Sequence, residues 1–113
     1  MNNYNIKLDE CKNKYYYLND KIHREDGPAI EYANGDKAWY KNGKFHREDG
    51  PAIVYSNGDK HWYKNGKLHR EDGPAVEWAN GNNIWYLNDI FYGKNDDFTN
   101  KSWFKFVKTL IFS

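Results

Sequence analysis

The run His-Arg-Glu-Asp occurs three times, at His23 to Asp26, His46 to Asp49 and His69 to Asp72. An imidazole beside two carboxylates is the material of general acid–base catalysis and of metal ligation. The spacing of the copies argues for another role. Neighbouring strands lie about 4.8 Å apart, so equivalent residues one unit of two or three strands away sit at roughly 10–14 Å. Zinc holds its ligands at about 2 Å, so successive histidines cannot share one ion. A catalytic centre also needs a unique, pre-organised pocket, and three identical copies on an open sheet offer none. The expectation is a ladder of ion pairs and turn hydrogen bonds repeated with the fold, with no catalytic residue, no metal and no cofactor. Cys11 has no histidine or other base near it in the chain and reads as a terminal residue, buried or partly exposed. His61 stands where the other units have Ala38 and Ile84 and reads as a tolerated substitution on a strand face.

These residues are carried by a repeat. Unit one is 23–45, unit two 46–68 and unit three 69–91. Units one and two differ only at Glu31/Val54, Ala33/Ser56, Ala38/His61 and Phe45/Leu68. A partial unit precedes them, with Tyr16, Tyr17, Asn19, Asp20 and Ile22 at the places of Trp39, Tyr40, Asn42, Gly43 and Phe45. The whole reads as one domain, 1–113: an N-terminal cap with the partial repeat (1–22), three repeats, and a linker with a C-terminal capping helix (92–113).

Each unit has three turn signals, which in unit one are Asn34-Gly35, Asn42-Gly43 and, at its junction with unit two, Asp49-Gly50. Short runs of β-branched and aromatic residues lie between them. Two-residue loops at Asn34-Gly35 and Asn42-Gly43 set a register. Ile30 then faces Trp39, Ala29 faces Tyr40, and Glu31 faces Ala38; Tyr40 faces Phe45 and Trp39 faces His46. The later units repeat this, with Ile53 opposite Trp62 and Val76 opposite Trp85. One sheet face carries Tyr16, Trp39, Trp62 and Trp85, and the other Tyr17, Tyr40, Tyr63 and Tyr86. The predicted fold is mostly β: an elongated antiparallel meander or solenoid of stacked 23-residue hairpin repeats with a helical cap. Trp103, Phe106, Val107 and Leu110 recur at helical spacing, capped by Thr99 or Asn100, and Phe104 and Ile111 widen that apolar face. Ile6-Lys7-Leu8 alternates as an edge strand does.

Composition bounds the function. Aliphatic residues are few, and aromatic residues make 19% of the chain, so rings must build the core. The mean hydropathy of −1.10 would by itself suggest disorder, but the ordered spacing of the rings does not. With 17 basic and 16 acidic residues, no surplus charge drives nucleic-acid binding. One cysteine cannot make an internal disulfide. Residues 1–17 lack the apolar core of a leader, and no stretch is apolar enough to span a bilayer. The expected location is cytoplasmic, including the cytoplasm of an infected host cell.

The stretch Gly27 to His46, GPAIEYANGDKAWYKNGKFH, resembles the MORN repeat in its 23-residue period and in the placing of its turns and aromatic strands. Residues 15–92 are covered. The His-Arg-Glu-Asp-Gly-Pro-Ala link is similar to the variant in bacteriophage and giant-virus proteins. The resemblance implies stacked hairpins, a role in scaffolding or dimerisation, and phospholipid binding. The expected function is a non-enzymatic protein–protein interaction module, in its narrower form a viral protein binding or inhibiting a host factor. The alternatives are a peripheral membrane protein and a self-assembling scaffold or homodimer. Specificity is expected where the units disagree, and the candidate partner-binding residues are Tyr32, Tyr55, His61, Trp78, Glu31 and Glu77.

Overall fold

The computed structural model describes residues 3–112. It is mostly β, an elongated body of 44 × 32 × 20 Å ended by one helix. The N-terminal part supplies β1 (Asn5–Leu8), β2 (Lys14–Leu18) and β3 (Lys21–Ile22). Unit one adds β4 (Ile30–Glu31), β5 (Lys37–Ala38), β6 (Tyr40–Lys41) and β7 (Lys44–Phe45). Unit two repeats these as β8 (Ile53–Val54), β9 (Lys60–His61), β10 (Tyr63–Lys64) and β11 (Lys67–Leu68). Unit three has β12 (Val76–Glu77), β13 (Asn83–Leu87) and β14 (Ile90–Lys94), followed by a 3-10 turn and α1 (Asn100–Phe112). The main sheet runs β1-β2-β4-β5-β8-β9-β12-β13-β14, all antiparallel, with β3 paired to β2. Units one and two each give two strands to the sheet and one separate hairpin, β6-β7 or β10-β11, to a row beside it. The hairpin of unit three, β13-β14, is instead continuous with the sheet. Gly43 N–H to Ile22 O and Gly66 N–H to Phe45 O, at 2.9 and 2.8 Å, tie the hairpins into that row.

The hairpin turns follow the expected register. Asn42 and Gly43 take φ of 51° and 80°, the pair of positive values a type I′ turn needs. Tyr40 faces Phe45, Tyr63 faces Leu68, Tyr86 faces Phe91 and Tyr17 faces Ile22.

The sheet turns do not. Ile30 faces Ala38 and Glu31 faces Lys37. Likewise Ile53 faces His61 and Val76 faces Ile84. The register is one residue away from that of a two-residue loop, because Ala33-Asn34-Gly35 is a three-residue loop. Only Gly35 has positive φ, and Tyr32 N–H bonds Asp36 O at 2.9 Å. Asn34 contributes its side chain instead, its Oδ1 accepting Asp36 N–H at 2.9 Å. The slip matters because it changes faces. Glu31 and Glu77 join the Trp face, while Ala38, His61 and Ile84 share the Tyr face. The Asp-Gly of each repeated run is also no hairpin turn: Gly27, Gly50 and Gly73 sit in bends without positive φ.

The core is thin and lies along the sheet. Ala29, Ala52 and Ala75 are fully buried, beside Ile30, Ile53 and Val76. The strongest apolar cluster is at the C-terminal end, where Trp103 and Val107 close on Trp85 and Leu87. Thr99 caps α1: its Oγ1 accepts Ser102 N–H at 3.0 Å, and Ser102 Oγ accepts Thr99 N–H at 2.9 Å. Leu110 is 42% exposed, and Phe104 and Ile111 are exposed too, contrary to the expected buried stripe. The surface α1 covers, from Trp85 to Tyr92 and Phe98, is matched by Trp103, Phe106 and Val107 alone. β1 is the edge strand, as its alternation suggested, and Cys11 is exposed in the turn after it. Among the described residues no helix is long and apolar enough to cross a membrane.

Candidate functional site

The three repeated runs close on themselves. His23 Nδ1 accepts Asn42 N–H at 2.9 Å, His46 Nδ1 accepts Asn65 N–H at 3.0 Å, and His69 Nδ1 accepts Asn88 N–H at 3.1 Å. A nitrogen that accepts carries no proton, so the neutral ring is the Nε2–H tautomer. Nε2 faces the glutamate two residues on, at 3.4 Å for Glu25, 2.7 Å for Glu48 and 2.8 Å for Glu71. Each imidazole is engaged on both sides, and the lone pair that a metal or a substrate proton would need is held by the backbone. The bond from His46, ahead of the charge of Lys64, holds the Glu48 carboxyl below its usual range.

Each arginine makes a second closed set. Nε donates to Asp26, Asp49 or Asp72 at 2.8–2.9 Å, and Nη1 donates to the carbonyl of Pro28, Pro51 or Pro74 at 3.1–3.2 Å. The guanidinium lies over the ring of the preceding unit: Arg24 on Tyr16, Arg47 on Trp39 and Arg70 on Trp62, at 4.0, 3.9 and 3.9 Å. This contact explains the glycine of the run, since a Cβ on Gly50 would meet Arg47 Cζ at 2.8 Å. Hydrogen bonds from Arg24 and Arg47 hold the Asp26 and Asp49 carboxyls low. Trp85 has no arginine after it. Trp103 takes that place, 5.4 Å from the Trp85 ring, with its Nε1 donating to Arg70 O at 2.8 Å.

Of the candidate residues, the structure brings Tyr55, His61 and Trp78 together. His61 lies between the other two, both rings edge-on at 5.3 Å. Tyr32 takes the place of Tyr55 one unit earlier on the same face, half-buried, and Trp78 is 38% exposed. His61 Nε2 is buried with no hydrogen-bond partner among the described residues, and burial pushes its imidazole below the ordinary value of 6.5. Glu31 and Glu77 are not in this group. They accept from Arg24 Nη1 at 3.1 Å and Arg70 Nη1 at 2.7 Å on the Trp face. Asp36 and Asp59 also have inward tasks, their Oδ1 atoms accepting Ser56 and Ala79 N–H at 2.7 Å across the unit boundary. Unit three is the last unit and carries Asn82 at this place.

The register also lines up Lys14, Glu31, Lys37, Val54, Lys60 and Glu77 across the Trp face. Lys37 and Lys60 carry no signal in the sequence alone, because their pairing with Val54 depends on that register. No family model, curated protein or solved structure compared with the chain matches it.

Proposed function

We propose that the protein is a non-enzymatic interaction module that binds another protein through its tyrosine-rich face. The observation that carries this reading is the contrast between the two faces. The histidines and carboxylates of the repeated runs are bonded to one another, to the run arginines and to the backbone, whereas Tyr32, Tyr55 and Trp78 present partly exposed rings in a row. Rigid aromatic side chains of this kind anchor interfaces at low entropic cost. A virus-encoded protein acting on a host factor is the narrower form, and it rests on the resemblance to MORN-like repeats. Affinity capture from host lysate, with wild type beside Tyr55→Ser/Trp78→Ser, tests the reading. A protein held by the wild type and lost from the folded variant supports it. No protein held by either, or equal recovery on both, rejects it.

A second reading, peripheral membrane binding, is favoured by α1. Phe104 and Ile111 are exposed beside Lys101, Lys105 and Lys108, and the helix has no acidic residue. Such a surface suits an anionic bilayer. Co-sedimentation with phosphatidylserine vesicles decides it, and no binding at low salt removes it.

A further inference from the structure

We propose that the surface around Val54 is a binding site for a carboxylate carried by an acidic segment of a partner protein. The repeat supplies its own control. In units one and three the arginine of the run gives Nη1 to a glutamate seven residues on, Glu31 or Glu77. In unit two that residue is Val54, and among the described residues Arg47 Nη1 donates only to Pro51 O, at 3.1 Å. Arg47 is otherwise placed like its sisters: stacked on Trp39, bonded to Asp49, its side chain 23% exposed.

The flanking strands complete the site. Val54 pairs with Lys37 on β5 and with Lys60 on β9. Paired residues share a face, and adjacent strands lie about 4.8 Å apart, so both lysines stand beside Val54. In unit one the same geometry puts Glu31 between Lys14 and Lys37, so charges alternate across the sheet. At Val54 the alternation fails, leaving two exposed lysines and one arginine around an apolar floor. An incoming carboxylate meets a setting equivalent to that of Glu31, an arginine Nη1 with a lysine on either side.

The charge of the ligand is limited from the other side. Glu48 and Asp49 are on the same loop as Arg47, and they repel a phosphate dianion more than a single carboxylate. The site lies on the face opposite the tyrosine-rich one, so it stands or falls separately from the reading above.

Titration of ¹⁵N-labelled protein with a pentaglutamate peptide at low salt tests it. Saturable shifts are expected at Lys37, Val54, Lys60 and the Arg47 Nε–H. Val54→Glu restores the internal partner and should weaken peptide binding about tenfold or more. Lys37→Gln/Lys60→Gln should weaken it comparably with the fold intact, since both side chains are exposed. Glu31→Val should open a second site around Arg24, Lys14 and Lys37. If that variant does not fold, the other two still decide. Equal binding by wild type and Val54→Glu overturns the proposal, as do shifts spread over all lysines. Shifts of these residues by inorganic phosphate but not by the peptide overturn it too, and assign the site to a phosphate.

Discussion

His61 sits between two aromatic edges where unit one has Ala38 and unit three Ile84, and its buried Nε2 lacks a partner. Removing an unsatisfied buried polar atom at an otherwise apolar position should raise stability, and His61→Ile is expected to gain about 1 kcal/mol in urea melts. The same residue makes stability depend on pH. Burial lowers the folded imidazole below the ordinary 6.5, so the unfolded chain binds the proton more readily. Stability is therefore full above that value and falls as pH drops through it. The wild-type curve measured from pH 8 to 5 should show this loss relative to His61→Ile. Gly50 offers a second test. A methyl there shifts the flexible end of Arg47 off Trp39, and Gly50→Ala should cost only that ring contact, about 0.5–1 kcal/mol. At this scale the sequence shows which residues differ between units, but not what each one touches. Glu31 reads as a surface variable, yet it is bonded to Arg24, because nothing local reveals that the run folds back over the sheet.

The same dipeptide makes two different turns. Asn42-Gly43 is legible because both residues take positive φ and the loop length fixes the pairing. Asn34-Gly35 misleads because its asparagine acts through its side chain and only the glycine is left-handed. The two asparagines should accordingly respond differently. Asn42→Ala forces alanine into the left-handed region at about 1–2 kcal/mol, while Asn34→Ala loses only exposed side-chain hydrogen bonds, a difference thermal melts can read. The helix was visible in its period, but the width of its buried face was not, since that is set by how little of Trp85, Tyr92 and Phe98 remains to be covered. Trp103 is fully buried, and Trp103→Ala should cost about 3–5 kcal/mol and expose the last ring.

At the scale of the molecule, one set of contacts recurs at each boundary between units. Arg47 on Trp39 and Arg70 on Trp62 are equivalent, as are Asp36 to Ser56 and Asp59 to Ala79. Neighbour-only contacts make stability a sum over units and boundaries. Deleting residues 46–68 joins Phe45 to His69, and it should place Arg70 on Trp39 and the Asp36 carboxylate on Ala79 N–H. The shortened chain is expected to fold with unchanged far-UV dichroism and a lower midpoint in denaturant; an unfolded product would show that the boundaries are not equivalent. The 23-residue period made this modularity legible from the start, while the boundary bonds required the register.

Because the same arginine and aspartate contacts recur at each boundary, the order of the units is free to carry information. The unit lacking the glutamate stands in the middle, about two strands, or 10 Å, from the place of its counterpart on either side. Exchanging unit two with unit one would leave the composition and the repeated arginine–ring and aspartate–backbone contacts unchanged, yet move the cationic gap toward the amino-terminal edge. In this chain, permuting identical-looking blocks rewrites an address.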